Sequence, residues 1–167
     1  MASAPVRAMS SIRQSAAASP PTRLRLPDLL HATDQYADGV LEGRFDRLLP
    51  AGGLPVDARW HTRLYTDDEL DVWLISWASG HATELHDHCG SLGALTVLSG
   101  SLHEYRWDGE RLRRRLLDAG DRAAFPLGWV HDVAAAQSGS PETLSVHAYS
   151  PPLTAMSYYD VTESQKL

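Results

Sequence analysis

The apolar positions change their period once along the chain. From Leu26 to Leu49 they recur at helical intervals, at Leu26, Leu29, Leu30, Tyr36, Val40, Phe45, Leu48 and Leu49, as one face of a helix requires. Pro27 suits a first helical turn, Gly39 and Gly43 interrupt the pattern, and Pro50-Ala51-Gly52-Gly53 ends it. Two short helices are therefore expected at about 26–49. After Pro55 the pattern becomes that of strands. Segments from Trp60 to Tyr65, Leu70 to Trp77, Ala94 to Leu98, Leu102 to Trp107, Leu112 to Leu117, Ala123 to Pro126, Val130 to Ala134, Leu144 to Tyr149 and Met156 to Asp160 alternate or run apolar. Turn residues such as Asp108-Gly109 and Ser138-Gly139-Ser140 separate them. Many short strands at regular spacing predict a mainly β fold, a small antiparallel barrel or jelly roll over about residues 56–160.

Composition narrows the setting. A length of 167 residues suits one domain with its own core. Residues 1–22 are rich in Ala, Ser, Pro and Arg, lack acids, and lack the apolar stretch of a secretory signal. They read as a disordered extension, with a composition that also resembles an organellar transit peptide, and a single domain is expected over 23–167. Net charge is −6. Four of the 15 basic residues lie within 1–27, so the remainder carries 11 basic against 21 acidic residues. An acidic body argues against nucleic acid as a partner, and the basic run Arg111, Arg113, Arg114 and Arg115 reads as a solvated hairpin edge. One cysteine, Cys89, excludes an intramolecular disulfide, which makes a reducing cytoplasm the default expectation. No apolar run reaches the ~18 residues of a membrane span.

Two histidine motifs carry the candidate chemistry. The first is Gly80-His81-Ala82-Thr83-Glu84-Leu85-His86-Asp87-His88, with Gly100 closing its segment; the second runs from Gly120 through Pro126 and Gly128 to His131. Side chains alternate along a strand, so His86 and His88 point the same way and Asp87 points oppositely. His131 on a separate strand completes a set of three imidazoles around one metal ion. A His-x-His pair alone is weak: eight histidines in 167 residues produce about a third of one by chance. His81, in the loop before the metal strand, reads as a solvated residue rather than a fourth ligand. On another strand, Ser145, His147 and Tyr149 share a face, a row of hydroxyl, imidazole and phenol whose members can satisfy one another's hydrogen bonds.

The glycines, proline and histidines of both motifs resemble those of a cupin at seven positions across about 52 residues. Cupins usually place Glu five residues after the second His, where this chain has Gly93, and close the second motif with Asn, where it has Ala135. Without the Glu, a divalent ion on three neutral imidazoles keeps its double charge and open positions, which favours an anionic ligand. Zn²⁺, Ni²⁺, Mn²⁺ and Cu²⁺ suit three histidines as well, so the ligands alone do not choose the metal.

Arg63, Trp77, His86-Asp87-His88, His131 and Ser145-Val146-His147-Ala148-Tyr149-Ser150-Pro151-Pro152 together resemble the cysteine dioxygenase type I family. The resemblance implies a cupin β-barrel with one Fe(II) per chain on His86, His88 and His131. It implies oxidation of L-cysteine by O₂ to cysteine sulfinic acid, with thiolate and amine as iron ligands and Ser145, His147 and Tyr149 as a catalytic row. It assigns substrate binding to Arg63, Tyr149 and Trp77, and implies a cis Ser150–Pro151 bond. Arg63 offers a bidentate partner for a carboxylate; Arg59 lies four residues earlier, and a strand bulge leaves the register open between the two. Animal members carry a Cys, crosslinked to the tyrosine, at the position of Gly93, and Tyr at the position of His61; the chain resembles bacterial members without the crosslink, and Cys89 is not expected to substitute.

Other readings from the same residues are a dioxygenase of 3-mercaptopropionate or another small thiol, whose members typically have Gln at Arg63; a non-catalytic metabolite-binding cupin; and a cupin isomerase or quercetin-type dioxygenase using another metal. Expected partners are a small thiol and O₂, with no nucleic acid or membrane, and the chain is expected to be a monomer.

Overall fold

The computed structural model of the protein describes Val6–Arg7 and residues 22–80, 82–136 and 142–161. Apart from Val6–Arg7, the extension expected over 1–22 falls outside these except for Thr22, and so does His81. In chain order the elements are β1 (Val6–Arg7), α1 (Leu26–Leu41), a 3₁₀ turn (Asp46–Leu48), β2 (Trp60–Thr66), β3 (Asp71–Trp77), β4 (His86–Asp87), β5 (Leu92–Ser99), β6 (Ser101–Trp107), β7 (Leu112–Asp118), β8 (Arg122–Phe125), β9 (His131–Ala135), β10 (Thr143–Ser150), β11 (Ser157–Tyr158) and β12 (Asp160–Val161). Two five-stranded antiparallel sheets face each other, ordered β2-β3-β10-β5-β8 and β11-β4-β9-β6-β7, while β1 pairs with β12. This is the double-stranded barrel that the strand spacing predicts.

The helical region differs from the expectation of two helices. One helix forms, and its start is set by the Asp28 carboxylate, which accepts the Arg25 N–H at 2.7 Å. Gly43, at φ +77°, stops it in a left-handed turn that a side chain would strain. Too few residues then remain before Pro50 for a second helix, and only the 3₁₀ turn forms.

Alternation in β3 and β10 builds two cores. Val72 and Leu74 of β3, with Val146 and Ala148 of β10, pack against Leu29 and Ala37 of α1. Complete burial of Leu29 contributes about 1.5–3 kcal/mol relative to an exposed leucine. The opposite faces of the same strands turn into the barrel, where Trp77 packs with Leu95, Leu102, Phe125 and Val133. Both strands are covered on both sides, so the inward face is free for polar residues only where these bond to one another.

Gly100 makes the β5–β6 turn at φ +66°. A Cβ there would stand 2.2 Å from Thr143 Oγ1, so the turn requires glycine for both conformation and space. It fixes the hairpin from which β5 and β6 leave toward the two sheets, and with it the walls of the cavity between them.

Candidate metal centre and its cavity

Strand register brings the three histidines together. His86 lies directly opposite His131 across β4 and β9, and His88 follows just past the short β4 strand, on the same face as His86. All three are buried, and their ligand nitrogens lie within 4.8 Å of one another. His131 Nε2 and His88 Nε2 are 3.4 Å apart. Two nitrogens each ~2.0–2.1 Å from one tetrahedral ion stand about 3.3–3.4 Å apart, so the spacing fits a shared metal.

The remote nitrogens fix which lone pairs face inward. His86 Nδ1–H donates to the Glu84 carbonyl at 2.6 Å, and His131 Nδ1–H donates to Glu104 Oε1 at 3.0 Å. This leaves the Nε2 lone pairs of His86 and His131 facing inward, with His88 Nε2 beside that of His131. Burial, then repulsion from His131, pushes His86 down to about 4; the same causes and His86 push His88 down to about 2. These are neutral imidazoles, the form that binds metals.

Glu104 is the residue that sequence reasoning missed. It is fully buried on β6, accepts the Trp129 indole N–H at 2.9 Å as well as His131, and pairs with Arg115 Nε. Burial opposes its charge, but the hydrogen bonds from His131 and Trp129 and the nearby Arg115 outweigh that and hold its carboxyl below the ordinary range. A signal existed: Leu102, Glu104 and Arg106 share one face of their strand, so a carboxylate falls at a position where Leu102 is core. Arg115 is therefore not merely solvated, and Arg113 pairs with Asp108; Arg111 and Arg114 keep the exposed-edge character expected of the run.

Asp87 points away from the triad, as alternation requires. It accepts the Cys89 N–H at 2.8 Å and the Tyr159 hydroxyl at 2.6 Å. These bonds stabilise the tight turn after His88, in which Cys89 takes φ +50°. Cys89 itself is exposed, its sulfur 3.3 Å from Ser157 Oγ.

The row on β10 forms the facing wall. Trp77 Nε1–H donates to Ser145 Oγ at 2.8 Å, Ser145 Oγ lies 2.9 Å from His147 Nε2, and His147 Nδ1 lies 3.4 Å from the Tyr149 hydroxyl. Indole only donates. Ser145 accepts from it and has its own proton free for His147 Nε2. Burial, then repulsion from His131 and Arg59, pushes His147 down to about 3, so the ring is neutral and carries its proton on Nδ1, toward Tyr149. Burial raises the Tyr149 phenol against the pull of Arg59, leaving an O–H to present to the cavity.

The triad, His147 and Tyr149 line one cavity of about 210 Å³, with Trp73, Ile75, Leu153 and Met156 among its apolar walls. That is smaller than the ~300–1,000 Å³ of pockets for drug-sized ligands, and suits a small metabolite. The Ser150–Pro151 peptide that follows the row is cis.

The family model for cysteine dioxygenase type I matches residues 56–162, the span that holds the triad, the row and the barrel. The chain belongs to the cysteine dioxygenase type I family. Solved structures with the same fold include an uncharacterised conserved protein with a double-stranded β-helix domain from Klebsiella pneumoniae, at 19% identity and TM-score 0.55 over 69% of this chain and 93% of that one. The TT1209 protein from Thermus thermophilus matches at 22% identity and TM-score 0.52, over 64% of this chain and 93% of that one. An oxalate oxidase matches at 18% identity and TM-score 0.51, over 66% of this chain and 59% of that one.

Within that family frame, two positions differ from the sequence reading in what surrounds them. Gly93 lies opposite Tyr149 across β5 and β10, and a Cβ there would stand 3.1 Å from both His88 Nδ1 and Phe125 Cδ2. A side chain at 93 in this barrel requires the His88 ring or Phe125 to shift, which gives the absence of Glu and Cys a packing reason. Arg63 is not brought to the cavity: its guanidinium lies 4.5 Å from the Trp73 ring centroid and 3.6 Å from Asp71 Oδ1. The cation that lines the cavity is Arg59, 5.5 Å from the Trp77 ring centroid. The register shift in β2 falls between Arg63 and Tyr65, after both arginines, so it does not separate them; the extent of the cavity along β2 does.

Proposed function

We propose that this chain is a thiol dioxygenase that oxidises L-cysteine with O₂ to cysteine sulfinic acid at one Fe(II) held by His86, His88 and His131. The observation that carries the reading is the convergence of three Nε2 atoms in one small cavity with Arg59 and the Tyr149 phenol. A metal held by neutral ligands attracts a thiolate, and the arginine attracts a carboxylate; a small thiol acid carries both. Bound Fe(II) would supply the redox centre at which the thiolate meets O₂. Both oxygen atoms add to sulfur, so a thiol RSH and O₂ give RSO₂H with no further reductant.

The protein's part is positioning. Arg59 pairs with the substrate carboxylate, in the role the family resemblance implied for Arg63. Tyr149, oriented by Trp77, Ser145 and His147, keeps its proton and offers the hydroxyl as a hydrogen-bond donor to the substrate carboxylate. Leu153 and Met156 keep water from the reacting sulfur. Membership in the family and the metal-competent triad support an oxidoreductase.

A second reading has a specific observation behind it. No carboxylate occurs among the described residues lining the cavity, so no charged side chain described there pairs with an amine. That suits 3-mercaptopropionate, which has thiol and carboxylate without amine. The test is oxygen uptake after anaerobic loading with Fe(II), with L-cysteine, 3-mercaptopropionate and cysteamine compared. Uptake with L-cysteine, in equal amount to sulfinate formed and several-fold faster than with the others, is the expected result. Preference for 3-mercaptopropionate overturns the substrate, and no uptake with any thiol despite bound iron overturns the dioxygenase.

A further inference from the structure

We infer that Glu104 is a positioning residue that moves the missing anionic ligand one hydrogen bond outward from the metal site. The inference rests on the reading that His86, His88 and His131 hold a metal, and on no assignment of substrate. Gly93 leaves the inner ligand set without an acid, and the charge returns at Glu104. This carboxylate is completely buried and bonded to the remote nitrogen of His131 at 3.0 Å. A carboxylate that accepts from Nδ1–H holds the imidazole in the tautomer whose Nε2 lone pair faces the metal, and makes that nitrogen a stronger donor.

The other bonds show a carboxylate fixed in direction as well as place. Trp129 Nε1–H donates to the same Oε1 at 2.9 Å, and Arg115 reaches the other oxygen from the neighbouring strand. Arg106, two residues along from Glu104, lies over the Trp129 ring with its guanidinium carbon 3.7 Å from the centroid. Arg115 and Trp129 hold the carboxylate plane while one lone pair remains for His131. His86, by contrast, has only the Glu84 carbonyl behind it. The ligands are therefore unequal: His131 is backed by a carboxylate and His86 by a neutral carbonyl.

The test uses Co(II) alone as probe, which needs neither O₂ nor thiol. Affinity of the full chain for Co(II) is measured by competition with a chelator, and the His131 tautomer by ¹⁵N NMR of the metal-free protein. Glu104→Gln keeps an acceptor and removes the charge, and about a tenfold loss of affinity is expected with the Nδ1–H tautomer retained. Glu104→Leu removes both; about a hundredfold loss is expected, with His131 no longer held as Nδ1–H, in keeping with the 10–100-fold range for such outer partners. Glu110→Gln, which removes an exposed charge, leaves affinity unchanged. Affinity within twofold of wild type in a folded Glu104→Leu protein overturns the inference. If neither variant folds, the wild-type tautomer decides it: Nε2–H in the metal-free protein overturns it and Nδ1–H supports it. A positive result here with no oxygen uptake under any thiol rejects the dioxygenase while keeping the role of Glu104.

Discussion

His131 and His147 stand on facing walls of one cavity, both buried, yet their nitrogens are used in opposite ways. His131 has its remote nitrogen tied to Glu104 and its near nitrogen turned to His88, 3.4 Å away. His147 has one nitrogen against Ser145 and the other toward Tyr149. The first ring has a lone pair left for a cation, and the second has none. Burial and residue type do not make a metal ligand; what each nitrogen already bonds does.

The contrast between the two rings is tested most severely by removing each in turn. His131→Ala is expected to reduce Co(II) and iron binding to background, because two imidazoles hold a divalent ion far more weakly than three. His147→Ala is expected to bind Co(II) within about threefold of wild type while turnover falls on the order of 10²-fold, the size typical of a lost proton-handling or orienting group. Metal content by elemental analysis, beside turnover, separates the two. Equal loss of metal in both variants would show that the hydrogen-bond distinction between the walls carries no weight.

The same two walls show what a sequence can reveal. Period-two spacing was enough to put His86 and His88 on one face, and Ser145, His147 and Tyr149 on another, because both are properties of one segment. Strand positions were likewise legible from short apolar runs. Glu104 and Arg59 were harder, since each acquires its role from a partner strand. Glu104 matters only once β6 is seated beside β9, whose register sets Glu104 opposite Val133. Arg59 matters only once the cavity is seen to open beside the start of β2, with Arg59 and His61 in its lining and Arg63 beyond it. The second helix failed for a local reason: Gly43 was read as a break between helices, whereas it ends α1 and only a 3₁₀ turn follows before Pro50.

The cations extend the contrast to the cavity's polar end. Arg59 lines the cavity and Arg63 is occupied with Asp71 and Trp73. A charge-assisted hydrogen bond contributes about 1.5–3 kcal/mol, so Arg59→Gln is expected to raise KM for L-cysteine and 3-mercaptopropionate about 10–100-fold. It should leave KM for cysteamine, which has no carboxylate, nearly unchanged. Arg63→Gln should alter each KM by less than about threefold. The reverse ranking in steady-state oxygen uptake would return the carboxylate to Arg63 and require that its pairing with Asp71 opens when substrate binds.

The smallest effect concerns protons alone. In the metal-free protein His147 is pushed down to about 3, first by burial and then by repulsion from His131 and Arg59, while an unfolded histidine titrates near ~6.5. Between those values the unfolded chain binds a proton that the native ring refuses. Stability therefore falls as pH falls from about 6.5, by up to about 1.4 kcal/mol per pH unit for this one group, and the loss levels off only near the native value. His86, pushed down to about 4 by burial and His131, adds a slope of the same sign. A bound metal blocks protonation of its ligands by occupying their lone pairs, whereas it acts on His147 only by repulsion at a distance, in the same direction as burial. Urea unfolding of wild type and His147→Gln between pH 7.5 and 5, above the main carboxylate range, is expected to show a shallower acid slope in the variant, and the difference between the two proteins should persist with Co(II) bound. Identical slopes would mean that His147 is free to take a proton in the native state, and Tyr149 would then face a cation rather than the neutral ring that orients its hydroxyl.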